Sequence, residues 1–283
     1  MSKRALPEIK VERPRGDLTS DIPPKALAAW NADVIAAASD GDVITIFEPI
    51  GEDFFGEGVT AKSVSGQLRA IGGKPVTVQI NSPGGNLFEG IAIHNLLRTH
   101  PAEVTVQIVG IAASAASVIA MAGDSIEIAR SGMIMIHNSQ WVAAGDRHVM
   151  IEAAAAMEVF DQAISAAYVD RTGQPDDDIS AMMDVTTFLS SARAIELGFA
   201  DALLPADQTA VRNSGERPPA YRLEAVLAKH GVSRSERRRV MKDFVGTPSA
   251  ADTAKPGAGD TAVEDDGTTG LSLALARLKL TRA

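Results

Sequence analysis

The chain has 283 residues, with 36 acidic against 27 basic side chains and a formal net charge of −9. That balance argues against a nucleic-acid-binding protein, which needs a broad basic face. The absence of cysteine excludes disulfides, thiolate catalysis and cysteine metal sites. With 45% hydrophobic but only 4% aromatic residues, the core must be built from Ala, Val, Ile, Leu and Met.

In chain order, residues 1–24 are polar and proline-punctuated and read as an N-terminal arm. Its first residues are basic with no apolar stretch behind them, so they do not read as a secretory signal. Leu27, Trp30, Val34 and Ile35 fall at helical spacing and predict a helix over Pro24 to Ala38. Val43 to Phe47 is a strand. Thr60 can cap a helix running through Leu68 and Ile71 to Gly72-Gly73. Pro75 to Asn81 is a second strand, ended by Ser82-Pro83-Gly84-Gly85, and Leu87 to Arg98 a helix. A third strand starts at Val104 and leads into Gly110-Ile111-Ala112-Ala113-Ser114-Ala115-Ala116-Ser117 and an apolar helix.

Ser125 to Ile128 and Met133 to Ile136 are short strands, Gln140 to Asp146 a loop, and His148 to Arg171 a long helix ending at Gly173. Asp176 to Met183 and Ser191 to Leu197 are further helices, and Ala200 to Leu204 closes the domain. Strands alternating with helices indicate an α/β fold with parallel strands over residues 25–205. Beyond it, 206–246 reads as a helical extension and 247–283 as a flexible linker with a short terminal helix. The arginine run at 234–239 reads as a solvated helix face. Val104 to Gly123 is uncharged, but its β-branched first half and alanine-rich second half fit a buried strand and helix better than a membrane span.

The candidate chemistry centres on Ser114. A serine among alanines and glycine, at a strand-to-helix turn, leaves its hydroxyl reachable, and the Ala115 N–H lies beside it at the helix start. Gly84 and Gly85 end the neighbouring β-α unit. Adjacent parallel strands bring both turns to one sheet end, where glycine lets a backbone N–H approach an oxyanion. His137, at the end of its strand, is the histidine best placed to act as a base near neutral pH. The carboxylate expected behind it has Asp184 as its candidate, with a loop or cap role equally open. Ser117 reads as a core or helix-contact serine.

These motifs resemble the ClpP family of serine peptidases, particularly the ClpP-like head maturation proteases of tailed phages. The resemblance spans roughly Asp42 to Leu204. It is carried by Ile80-Asn81-Ser82-Pro83-Gly84-Gly85, the Gly110 to Ser117 run, Met135-Ile136-His137, and Phe188-Leu189-Ser190 with Ala194 to Asp201. It implies a ClpP/crotonase-type spiral of β-β-α units, Ser114 as nucleophile, His137 as base, and oxyanion donors from Gly84, Gly85 and Ala115. The family pattern places its aspartate two residues before the Phe of Phe-Leu-Ser. Thr186 stands there in this chain, so Asp184, Thr186 or a bare dyad remain alternatives.

The resemblance further implies an ATP-independent endopeptidase acting on protein or peptide substrates, capsid or scaffold protein among them. It implies a homo-oligomeric ring built partly by the helix after His137. No cofactor, metal, nucleic acid or membrane partner is expected, and the expected location is the host cytoplasm or the prohead. Two rivals stand beside this reading: a crotonase-type acyl-CoA enzyme, and a non-catalytic assembly protein on the same fold.

Overall fold

In the computed structural model, the described residues are 4, 6–11, 19–20, 22–36, 42–52, 58–205, 209–211, 227, 232, 236–237 and 239–240. The chain divides into two units, Met1–Ser214 and Gly215–Ala283. In the second, the described positions 227, 236–237 and 239–240 are helical. Most of the expected helical extension, the linker and the terminal helix lie outside the described residues.

The first unit is built on a seven-stranded sheet. A short strand β1 (Thr19–Ser20) and helix α1 (Pro24–Ala29) precede β2 (Val34–Ala36). The expected helix through Ala38 therefore stops at Ala29, which is a correction with a tertiary cause. The Asn81 side-chain amide donates to the carbonyls of Asn31 (2.7 Å) and Val34 (2.9 Å). Those carbonyls are thereby held by a buried partner rather than by helix N–H groups. Propensity is a weak prior against such a contact.

Strand β3 (Val43–Ile46) leads to α2 (Ala61–Ile71). Thr60 and Ser63 cap this helix reciprocally, and Gly72 ends it at φ 74°. β4 (Val76–Ser82), α3 (Leu87–Thr99), β5 (Val104–Ala113) and α4 (Ala115–Ala120) follow. Asn86 caps α3 through the amides of Phe88 and Glu89. β6 (Ser125–Ile128), β7 (Met133–Ile136) and β8 (Trp141–Val142) come next, the last inside the expected 140–146 loop and paired with β1. α5 (Arg147–Thr172), α6 (Asp176–Asp184), β9 (Thr187–Ser190), α7 (Ser191–Glu196), β10 (Ala202–Leu203) and β11 (Thr209–Val211) complete the unit.

The main sheet runs β10-β6-β5-β4-β3, all parallel, with β7 on β5 and β9 antiparallel to β7. Ile44, Ile46, Val78, Ile80, Val106 and Ile108 are fully buried, as expected for parallel strands covered on both faces. β5 changes partner along its length. Thr105 to Ile108 pair with β6, and Ile111 to Ala113 pair with β7. Gly110 lies between the two halves, and a side chain there would meet Asn81 Oδ1 at 2.4 Å. That oxygen accepts the Ile111 amide at 3.1 Å. One buried asparagine thus holds the point where the sheet splits, and the split delivers β7 to the nucleophile. The mixed sheet with its covering helices is a ClpP/crotonase-type α/β fold.

The expected N-terminal arm is held at its described residues. Ile9 exchanges backbone bonds with the Asn95 side chain on α3, at 2.8 and 2.7 Å. The Arg4 amide donates to Asp124 at 2.7 Å.

Candidate active site

Ser114 is the residue between β5 and α4. Its backbone sits at φ 55°, ψ −125°, a region that a non-glycine residue occupies only under strain. Two neighbours impose it: the Ser114 amide donates to the Met135 carbonyl at 2.9 Å, and the Ser114 carbonyl accepts from the Ser117 amide at 2.9 Å. The resulting turn lifts the hydroxyl out of the strand. His137 follows β7 directly, and β7 pairs Met135 with Ala113, so the histidine arrives beside the serine. His137 Nε2 lies 2.7 Å from Ser114 Oγ.

The second turn converges on the same point. β4 lies beside β5, with Ser82 paired to Ala112. Gly84, at φ 86°, lies so close that a side chain on it would meet the Ala113 carbonyl at 2.5 Å and Ser114 Cβ at 2.7 Å. Gly85, at φ 146°, is pressed against the Ile50 backbone and lines the cavity with Ser114. Ala115 opens α4, so its N–H has no acceptor within the helix. The structure brings Ser114, His137, Gly84, Gly85 and Ala115 together.

The third member is a correction. Asp184, the last residue of α6, does not reach the imidazole. Its Oδ1 accepts from Asn138 Nδ2 at 2.7 Å. Thr186 directly precedes β9, whose last pair with β7 is Thr187 opposite Ile136, which makes it the nearer of the two in sequence register. Yet His137 Nδ1 is buried without a hydrogen-bond partner, so neither candidate holds the ring. Thr186 sits at φ 57°, a strained conformation for a β-branched residue that aspartate adopts more readily.

With Ser114 donating to Nε2, the neutral ring carries its proton on Nδ1. Burial lowers the His137 pKa from 6.5 to about 4. The backbone of Asn138 opposes the shift without outweighing it. The ring is therefore neutral at neutral pH and able to accept a proton, but it lacks the anion that would stabilise its charged form.

Two further residues shape the site that the sequence did not single out. Asp161 on α5 accepts the Ser139 amide at 2.6 Å. Burial, then the charges of Asp184 and Glu158, hold its pKa above the usual value, against the pull of Ser139. With Asp184 on Asn138, it fixes the segment after His137 at both residues. Tyr168, also on α5, lies 2.8 Å from Ser117 Oγ, which donates to the Ser114 carbonyl at 2.6 Å. Helical spacing assigned both α5 residues to a long helix, but not to the face that meets the serine. Among the described residues, no group of three His, Asp or Glu side chains could hold a metal ion, and no helix is long and apolar enough to cross a membrane.

The β5–α4 serine turn, the β4 glycine turn and the β7 histidine thus meet at one end of the sheet. Residues 31–207 match the Clp protease family, and the chain belongs to that family. Among curated relatives, it is 34% identical over 131 residues to the ATP-dependent Clp protease proteolytic subunit of Pleurastrum terricola, across 45% of this chain and 66% of that one. It is 30% identical over 164 residues to the ATP-dependent Clp protease proteolytic subunit 1 of Synechococcus sp. (strain CC9902), across 53% and 81%. The chain thus spans just under two thirds of the first relative's length. Among solved structures, a point mutant of ClpP1 from Listeria monocytogenes aligns at 27% identity and TM-score 0.48, over 58% of this chain and 91% of that one.

Proposed function

We propose that this chain is a serine endopeptidase of the Clp type. The observation that carries the reading is the 2.7 Å contact between Ser114 Oγ and His137 Nε2, beside a backbone that offers oxyanion donors. Ser114 Oγ attacks the peptide carbonyl as His137 Nε2 takes its proton. The Ala115 N–H at the start of α4 is the donor for the oxygen that gains charge, and Gly84, whose own N–H donates to Ser82 Oγ at 3.3 Å, brings no side chain into that space. His137 then passes the proton to the leaving amine, and water repeats the sequence to release the acyl group. A crotonase-type acyl-CoA reaction gives no role to this serine–histidine bond.

Within that class, the motif resemblance to phage head maturation proteases supports a narrower assignment. The substrate is capsid or scaffold protein, cut in the host cytoplasm or the prohead without an ATP-driven unfoldase. The working form is a homo-oligomeric ring. Co-expression with the capsid and scaffold proteins of the same phage tests this: specific cleavage is expected, and intact partners after assembly overturn it.

The orphaned Nδ1 of His137 favours a second reading, a non-catalytic assembly protein on the same fold. A fluorophosphonate separates the two. A single adduct on Ser114, absent from Ser114→Ala, is the peptidase outcome; no adduct on the intact chain overturns the peptidase.

A further inference from the structure

The cavity beside Ser114 is closed by one face of α5. Phe160, Ile164 and Tyr168 recur at four-residue intervals, so they share a helix face, and each is at most 3% exposed. The Ser117 hydroxyl spends its proton on the Ser114 carbonyl, so the Tyr168 hydroxyl donates to Ser117 and its ring is held in place. Phe160 packs edge-on against Trp141 and Phe88, with ring centroids 5.0 and 5.4 Å away. Ile164, between them in the helix, is 3% exposed and lines the cavity.

Leu87 and Val118 form further walls, and among the described residues no Asp, Glu, Lys or Arg lines the cavity. Its volume is about 20 Å³, small beside the ~150 Å³ of a cavity that takes a benzene ring. It holds a hydrogen, a methyl or a hydroxymethyl group. An isobutyl or benzyl group has to displace Ile164 or Tyr168, and overpacking such a core is costly.

Resting on the endopeptidase reading, we propose that this cavity receives the side chain of the residue whose carbonyl Ser114 attacks, and that Ile164 and Tyr168 restrict that residue to glycine, alanine or serine. When that carbonyl meets Ser114 Oγ with its oxygen toward Ala115 N–H, the adjoining side chain enters the space between Leu87, Val118 and Ile164. One misfitting methylene in such a pocket changes kcat/KM by roughly 10–200-fold, so small residues are preferred over leucine by at least ~10-fold.

Peptidyl diphenyl phosphonates carrying an alanine, leucine or phenylalanine side chain at the reacting position test this on the full chain, read by intact mass. A small ethyl fluorophosphonate, which needs no pocket, runs in parallel. The alanine reagent is expected to label Ser114 at least ~10-fold faster than the leucine one. Ile164→Ala narrows that ratio, and Ile164→Leu, which refills the space, restores it. If leucine or phenylalanine labels faster than alanine in the unaltered chain, the inference falls while the endopeptidase reading stands. If even the fluorophosphonate fails, both fall. The unaltered chain decides the question whether or not Ile164→Ala folds.

Discussion

The Ser114 amide donates to the Met135 carbonyl at 2.9 Å, and Met135 is two residues before His137. One bond therefore ties the backbone of the nucleophile to the strand that delivers its base. The serine is strained because it is held against that strand, and the 2.7 Å contact of Ser114 Oγ with Nε2 follows from the same pairing. Ser114→Ala is expected to lower peptide cleavage by at least ~10³-fold, with an unchanged circular dichroism spectrum. His137→Ala is expected to match it, because the two residues act as a unit. A double variant no worse than either single one checks this.

Thr186 and His137 each adjoin the last β7–β9 pair, Ile136 with Thr187, and Thr186 holds a backbone conformation that costs a β-branched residue about 1–3 kcal/mol. Thr186→Asp supplies the missing anion at a position aspartate tolerates. It is expected to raise kcat/KM by at least ~10-fold, measured with a small-residue peptide. Thr186→Gly relieves the strain without adding charge, so it raises the thermal midpoint and leaves the rate without that gain. Equal rates for the two variants would show that strain, rather than charge, is the limiting feature.

The pH dependence follows from burial. His137 has a folded-state pKa of about 4 against 6.5 unperturbed, so the neutral base is lost only as pH falls toward 4. The acid limb of kcat/KM is expected well below pH 6.5, and Thr186→Asp moves it upward because an anion favours the imidazolium. Stability has the matching sign. His94 is lowered to about 4 as well, chiefly by burial. Between pH 6.5 and 4 the unfolded chain binds more protons at both rings, so their contribution is present above pH 6.5 and lost as pH falls through that window. Denaturant midpoints across it check the direction.

Asp184 holds Asn138 rather than the imidazole. Asp184→Ala is therefore expected to lower kcat/KM by about 10-fold or less, far from the ~10⁴-fold that a changed triad aspartate produces. The acid limb stays in place. A displaced acid limb in this variant would restore Asp184 to the ring.

Asn81 is 1% exposed and bonds three backbone groups, at Asn31, Val34 and Ile111. Asn81→Ala removes the partner of the Val34 carbonyl and the Ile111 amide, at roughly 1–3 kcal/mol each before relaxation, while the Asn31 carbonyl keeps the Val34 amide at 3.2 Å. A loss of at least ~2 kcal/mol in unfolding free energy is expected from urea denaturation. A smaller loss would mean that water replaces the amide.

The sequence by itself determined the elements whose signals are local. Thr60 and Gly72 bracket α2, Asn81 to Gly85 ends β4, and the apolar runs at Val104, Ser125 and Met133 mark strands of the sheet. The serine, the histidine and both turns stand at strand ends, which marks them as candidates for one site. What lies behind the histidine was decided by the tertiary structure. Asp184 and Thr186 are two residues apart, and only the β7–β9 register, together with the bond from Asn138, separates them. β2 replaced the end of a predicted helix for the same reason: Asn81, about fifty residues away in sequence, holds the carbonyls of Asn31 and Val34. Tyr168 and Ile164 carry an ordinary helical pattern. Only the packing of α5 under Ser114 makes them the floor of a pocket, because a contact between distant segments leaves no periodicity in either.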